Sequence, residues 1–130
     1  ITILGTHALA FTDVASFLYA LSSRTFFCLP YNHKDANPAT VQFIENFKDR
    51  YHMPPDWLAV LAIDAVNLGV EALAAVGDRP DRLKDYLNRL DNPEKTFQGL
   101  AGGYYFDTDG RGIKPIFITK CTPSLLNWLP

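Results

Sequence analysis

The stretch YYFDTDGRG, from Tyr104 to Gly112, sets two aspartates one residue apart and follows them with glycines. Its order loosely resembles a calcium loop, so its reading decides between an ion site and a turn joining two strands. An EF-hand loop needs oxygen ligands at its first, third, fifth and twelfth positions, with glycine at the sixth. Counted from Asp107, the third position is Asp109 and the sixth is Gly112, but the fifth is the cation Arg111 and the twelfth is Ile118. No carboxylate closes the site. The flanks GYYF (Gly103–Phe106) and PIFIT (Pro115–Thr119) are aromatic and β-branched, which suits strands rather than helices. Asp and Gly tolerate the backbone of a tight turn. The stretch therefore reads as a hairpin, and no metal site is expected there. Just upstream, GLAGG (Gly99–Gly103) is glycine-rich, yet it precedes a strand. It lacks the helix N-terminus that would bind a phosphate.

Working outward, ITIL (Ile1–Leu4) is a short apolar run stopped by Gly5, as for a buried strand. Thr12 is placed to cap a helix whose inward residues are Val14, Phe17, Leu18 and Leu21. TFFCL (Thr25–Leu29) reads as a second strand, and PYNHKDANP after it as a polar loop. Asn37 with Pro38 starts a helix with Val41, Ile44, Phe47 and Tyr51 on one face. Asp56 is placed to cap the longest helix, to about Val76, with Gly77 ending it. That helix is apolar nearly all round. Its polar stripe, Asp64, Asn67 and Glu71, reads as a solvated edge. Pro80 opens another helix with Leu83, Tyr86, Leu87 and Leu90 inward. The order β-α-β-α-α-α-β-β argues for an α/β architecture with a partly parallel sheet.

With 130 residues the chain is the size of one modest domain. Twelve basic against 14 acidic residues, without a basic run, disfavour a nucleic-acid surface. The opening ITILGTHALAF is too interrupted to span a bilayer and lacks the basic region of a signal peptide. Ile rather than Met at the first position is expected of a processed or cut piece of something longer. His7, His33 and His52 with Cys28 and Cys121 show no zinc spacing. The two cysteines allow one disulfide in an oxidising compartment; two buried thiols are the plainer reading.

Three runs together carry a resemblance: FIENFKDRYHMPPDWLAVLAIDAVNLGVEAL, then FQGLAGGYYFDTDGRG, then PIFITK. They resemble the C-terminal part of a type I periplasmic binding protein, in the pattern of the branched-chain amino-acid (Leu/Ile/Val-type) substrate-binding proteins of ABC transporters. The front, ILGT, a short helix and TFFCLPYN, fits the same pattern. The resemblance implies partial Rossmann-like lobes of a two-lobed α/β fold, this chain being about the last third. It implies that residues 1–27 and 116–130 belong to the second lobe and 28–115 to the first. Sheet edges left open by the missing parts would then pair or swap with another chain, giving a homo-oligomer when the piece is studied alone.

The resemblance also places the ligand in the cleft between lobes, against the loop after the first strand. Gly5, Thr6 and His7 lie in that loop. An acidic residue of the family, which holds a ligand ammonium, corresponds here to His7. A histidine is no fixed negative anchor, so within the implied range of an amino acid or a related carboxylate or aromatic acid, a ligand other than a plain α-amino acid is expected. His7 could equally cap local backbone. Tyr31 and Asn32 could line the cleft mouth or form a plain loop. The family's tyrosine before Asp-Ala corresponds to Ile63, a position better suited to core than to contact.

The implied function is the solute-binding component of an ABC uptake transporter. Its partners would be a small-molecule ligand and the membrane permease, with no cofactor and no catalytic residue. Its place would be periplasmic or extracellular, with a signal peptide upstream and with or without a lipid anchor. The alternative is a ligand-sensing receptor or regulatory domain of the same fold. An α/β enzyme is the weaker alternative, because G-x-S-x-G, G-x-G-x-x-G and Walker patterns are all missing from the sequence.

Overall fold

A computed structural model of the chain describes residues 1–32, 37–127 and 129. Residues 33–36 of the expected polar loop lie outside the described residues. The described chain forms two compact units, Ile1–Val60 with Ile116–Pro130, and Leu61–Pro115.

The first unit is built on a three-stranded sheet. β1 (Ile3–Thr6) runs parallel to β2 (Thr25–Leu29), and β6 (Phe117–Lys120) closes antiparallel on the far side of β2. The partly parallel α/β sheet expected from the element order is thus present. β1 starts later than the apolar run suggested and continues through Gly5, because Gly5 pairs with Phe27 in the ladder. A 3₁₀ turn (His7–Leu9) leads into α1 (Thr12–Leu21), the crossover between the parallel strands. Thr12 does not cap α1: Phe11 holds the cap position, and the Thr12 hydroxyl donates to the Leu129 carbonyl at 2.9 Å. At the other end, the buried Thr25 hydroxyl donates to Ser22 O at 2.8 Å and thereby fixes the turn from α1 into β2.

The core of this unit gathers Ala10, Ala15, Phe27, Leu29, Cys121, Leu125 and Leu129, with Leu18 and Tyr19 packed on it. α1 therefore presents Ala15, Leu18 and Tyr19 to the core. Its other expected inward residues, Val14, Phe17 and Leu21, are exposed. α5 (Pro123–Leu126), a single turn capped by Thr122, packs against α1. α2 (Pro38–Tyr51) begins as expected: the Thr40 N–H donates to Asn37 Oδ1 at 2.9 Å. Only part of its apolar face is covered, since Ile44 and Thr40 are buried while Val41 and Tyr51 are exposed. The first turn of α3 (Trp57–Val76) also belongs here, capped by Asp56, whose Oδ1 accepts the Ala59 N–H at 2.7 Å. By length and composition α3 would also suit a membrane span; its Asp64 is buried.

The second unit holds the rest of α3, ended by Gly77 at φ 75°, and α4 (Pro80–Asn88), whose Leu83, Tyr86 and Leu87 are half-buried. A small antiparallel sheet follows: β3 (Phe97–Gly99), β4 (Gly102–Phe106) and β5 (Gly112–Ile113). The hairpin expected at Asp107 is present, but its second strand is β5, with Tyr105 opposite Ile113. The PIFIT segment, expected to flank it, instead supplies β6 to the sheet of the first unit. Asp107 sets the turn itself: its Oδ1 accepts the N–H groups of Asp109 at 3.0 Å and Arg111 at 2.8 Å. Gly110, at φ 77°, supplies the left-handed residue. Asp109 pairs with Arg111 at 3.2 Å on the exposed tip.

Candidate functional site

Because β1 and β2 are parallel, with Thr6 opposite Cys28, the chain leaves both at the same edge of the sheet. Loops at this carboxyl edge are where α/β sheets receive ligands. One loop carries His7; the other carries Tyr31. Gly5 prepares the edge from beneath. A Cβ there would come within 2.9 Å of the Phe27 ring, so the missing side chain lets fully buried Phe27 lie flat against β1. The 3₁₀ turn then packs over β1 and β2 and brings His7 to the first residue of α3. The His7 ring meets the Trp57 indole edge-on, 5.1 Å between centroids at 79°. Phe11 reaches the same indole at 6.5 Å and 64°.

Two polar atoms at this edge are buried and have no hydrogen-bond partner among the described residues: Tyr31 Oη and Trp57 Nε1. Tyr31 is 7% exposed and Trp57 9%. Burial pushes the Tyr31 phenol up to about 12, so it stays a neutral O–H at physiological pH. An unmet buried donor costs roughly 1–3 kcal/mol, and native proteins rarely leave one without a reason. The edge thus holds a buried O–H and a buried indole N–H, with the exposed His7 ring at its margin. Among the described residues, acidic side chains bordering this edge are Asp13, exposed on α1, and Asp56, whose Oδ1 caps α3.

The site residues expected from the sequence divide between the units. Gly5, Thr6, His7 and Tyr31 stand at one edge in the first unit, with Gly5 and Thr6 inside the strand rather than in the loop. Ile63 is half-buried on α3 in the second unit. Trp57 was missed. It reads in the sequence as one more apolar residue of a long helix. The available signal was its indole N–H, which must find a partner wherever the ring is buried.

A second polar cluster, in the second unit, makes an instructive contrast. Asp64 is only 2% exposed, so it is not the solvated edge that its spacing with Asn67 and Glu71 suggested. Its carboxylate accepts the Leu100 N–H at 2.6 Å, the Ala101 N–H at 2.9 Å and the Tyr104 hydroxyl at 2.8 Å. The glycine-rich GLAGG turn does form an anion cradle of backbone N–H groups, and the chain's own carboxylate fills it. Burial and the Asp64 bond both raise the Tyr104 phenol well above its ordinary value. Lys114 sits over the Tyr104 ring at 4.7 Å. A cavity of about 250 Å³ beside these groups is lined by Leu61, Ala65, Leu68, Phe97 and Phe106 as well. Here the buried acceptor and donors satisfy one another, so the cluster is structural. Among the described residues, no group of three or more His, Cys, Asp or Glu is placed to share a metal ion.

No family model matches the sequence, and no curated protein matches it. Solved structures do. A leucine-binding protein from Thermotoga maritima superposes with a TM-score of 0.76 at 22% identity, over 94% of this chain and 34% of its own. The branched-chain amino acid transporter substrate-binding protein of Streptococcus pneumoniae, in complex with isoleucine, gives 0.72 at 21% identity, over 92% of this chain and 33% of its own. An extracellular ligand-binding receptor from Desulfohalobium retbaense gives 0.69 at 25% identity, over 95% of this chain and 21% of its own. The chain therefore spans about a third or less of the proteins it matches. It has the fold of the corresponding part of a type I periplasmic binding protein, as the resemblance in its sequence implied.

Proposed function

We propose that the chain is part of the solute-binding component of an ABC uptake system, working outside the cytoplasm and passing its ligand to a membrane permease. The observation that carries the reading is the pair of buried, unpartnered donors, Tyr31 Oη and Trp57 Nε1, at the carboxyl edge of a parallel strand pair. The fold match to binding proteins supports it. No step of chemistry is required. Affinity would come from desolvating the solute against Trp57 and Phe11 and from a few placed polar groups. In the complete two-lobed protein, residues 1–27 and 116–130 would form part of the second lobe and 28–115 part of the first. The pairing of β6 with β2 supports the return of the last segment to the sheet of the opening one. Gly5, Thr6, His7 and Tyr31 would line the ligand cleft.

The test is a thermal-shift screen of the full-length polypeptide against amino acids, aromatic acids and short carboxylates. A ligand at about 100 times its Kd adds about 2.7 kcal/mol to stability by mass action and raises Tm accordingly. A screen with no response to any solute class, alongside turnover of some substrate, would overturn the reading in favour of an enzyme.

A further inference from the structure

We propose that Lys114 captures small apolar aldehydes covalently: its amine condenses with the carbonyl to a reversible imine, and the apolar body of the aldehyde fills the cavity that Lys114 shares with Asp64 and Tyr104. The proposal goes beyond the solute-binding reading and stands apart from it, since every residue it uses belongs to the second unit.

Lys114 follows β5, which the Asp107 turn folds back along β4. That brings its Nζ within 3.4 Å of Tyr104 Oη and 4.7 Å of the centre of the Tyr104 ring. The acid behind the phenol is already spent: Asp64 accepts the Tyr104 hydroxyl and the Leu100 and Ala101 N–H groups. Among the described residues no carboxylate forms an ion pair with Lys114. A half-buried ammonium without a counter-ion is driven to lose its proton, and burial lowers Lys114 from 10.5 to about 8 against the attraction of Asp64. Asp64 on α3 and Tyr104 on β4 are the other titratable groups lining the cavity. At pH 7.4 roughly a fifth of such amines are neutral, against about a thousandth of ordinary lysines. The neutral amine is the nucleophile, and desolvation in an apolar pocket is one way a lysine supplies it.

The cavity sets the rest of the ligand. It holds about 250 Å³ and is walled by Leu61, Ala65 and Leu68 of α3, Phe97 of β3 and Phe106 of β4. A dry cavity of about 150 Å³ takes a benzene ring, so this one has room for a ring with a short chain. Asp64 and Tyr104 satisfy each other and ask nothing of a ligand, so its body is apolar. The chemistry needs no further reactant. The Lys114 nitrogen attacks the carbonyl carbon and the C=O bond opens. Both amine hydrogens pass to the oxygen, which leaves as water as the C=N bond forms.

The experiment treats the full-length polypeptide with 3-phenylpropanal or propanal and cyanoborohydride, which reduces the imine to a stable secondary amine. Nα-acetyllysine in the same tube is the reference amine, and peptide mass spectrometry reads the modified fraction at each lysine. At pH 7.4, 3-phenylpropanal should modify Lys114 at least tenfold faster than the reference, and faster than the exposed Lys84 and Lys120. With propanal the lead of Lys114 should fall at least fivefold, because that body leaves the cavity unfilled. The lead should also shrink from pH 7 to pH 10, as the reference amine loses its own proton. Lys114→Met should remove the fast phase and leave the slow modification of the exposed lysines. Lys114 modified no faster than the reference would overturn the proposal, and so would equal leads with the two aldehydes. If 3-phenylpropanoate shields Lys114 from acetic anhydride while 3-phenylpropanal leaves it unmodified, the site takes anions without a covalent step, which also overturns it. None of these outcomes bears on the thermal screen, which decides the solute-binding reading separately.

Discussion

Gly99 stands where any side chain would collide with Asp64: a Cβ at 99 would lie 2.5 Å from Asp64 Oδ2. The glycine and the buried carboxylate are two halves of one device, since the carboxylate can reach the Leu100 and Ala101 N–H groups only because residue 99 has no side chain. Asp64→Ala should remove the acceptor of the Leu100 and Ala101 N–H groups and of the Tyr104 hydroxyl. The expected loss is about 3 kcal/mol or more, given roughly 1–3 kcal/mol per unsatisfied buried group. Gly99→Ala should cost about 1–3 kcal/mol by overpacking. The double variant should lose less than the sum, because the second change removes the group with which the first collides. Urea unfolding of the three proteins checks this. Additive losses would show that the two residues do not act together.

The same pair shows what the sequence could and could not disclose. Asp64 was legible as a polar residue on an apolar helix, and GLAGG as a turn before a strand. Their partnership links positions far apart in the chain, and periodicity carries no information about such contacts. Local signals succeeded wherever the cause was local. Asn37 and Asp56 cap the helices they precede, TFFCL has the strand bounds expected, and Asp107 organises its own turn. They failed where a third element decided the outcome. The Thr12 hydroxyl is taken by Leu129, and PIFIT pairs with β2 rather than with its neighbouring hairpin. At the candidate site, the carboxyl edge after the opening strand was legible, although Gly5 and Thr6 lie within β1 and only His7 follows it. Trp57 became visible only through the ring of His7 resting on it.

Lys114 gives a pH-dependent prediction. Burial lowers its ammonium from the ordinary 10.5 to about 8, partly opposed by the attraction of Asp64. Below about pH 8 the lysine is charged in both folded and unfolded chains, and the folded state bears the full desolvation cost. Between about 8 and 10.5 the folded chain is deprotonated while the unfolded chain still binds the proton, so stability rises with pH. Lys114→Met keeps the stem against the Tyr104 ring and removes the charge. It should be more stable than the parent at pH 7, with the advantage shrinking steadily through that window. Paired urea melts at pH 7 and pH 10 measure it; an advantage that grows with pH would reverse the assignment.

The exposed apolar residues of α1 and of the segment entering β6 should make the 130-residue chain sticky on its own. Phe17 and Leu21 are each 63% exposed, and Ile116 and Ile118 are 68% and 70% exposed. Contiguous exposed apolar surface commonly marks an interaction face, and β1 and β6 also leave open sheet edges. Residues 1–130 expressed alone should sediment as concentration-dependent oligomers and bind a hydrophobic dye. Phe17→Glu with Ile118→Lys should cut the dye signal severalfold and shift the weight-average mass towards the monomer. A monomeric parent with no dye response would contradict the prediction.

The two cysteines are kept apart by register. Lys120 pairs with Phe26, and the Cys121 N–H donates to Thr25 O at 2.8 Å, so Cys121 lies opposite Thr25. Cys28 is three positions further along β2, about 10 Å away at roughly 3.3 Å per residue. A disulfide requires Cα atoms within roughly 7 Å, so the pair cannot bridge within this sheet, and both are free thiols. Their reactivities should differ. Cys28 is half-buried, whereas Cys121 is fully buried and its thiol is pushed up by desolvation. A thiol reagent at pH 8 should label Cys28 well before Cys121, which must wait for the sheet to open. Unfolding without reductant should release two reactive thiols per chain. A count below two with the chain still monomeric under non-reducing conditions would mean an internal disulfide, and with it a register of β2 against β6 different from the one described.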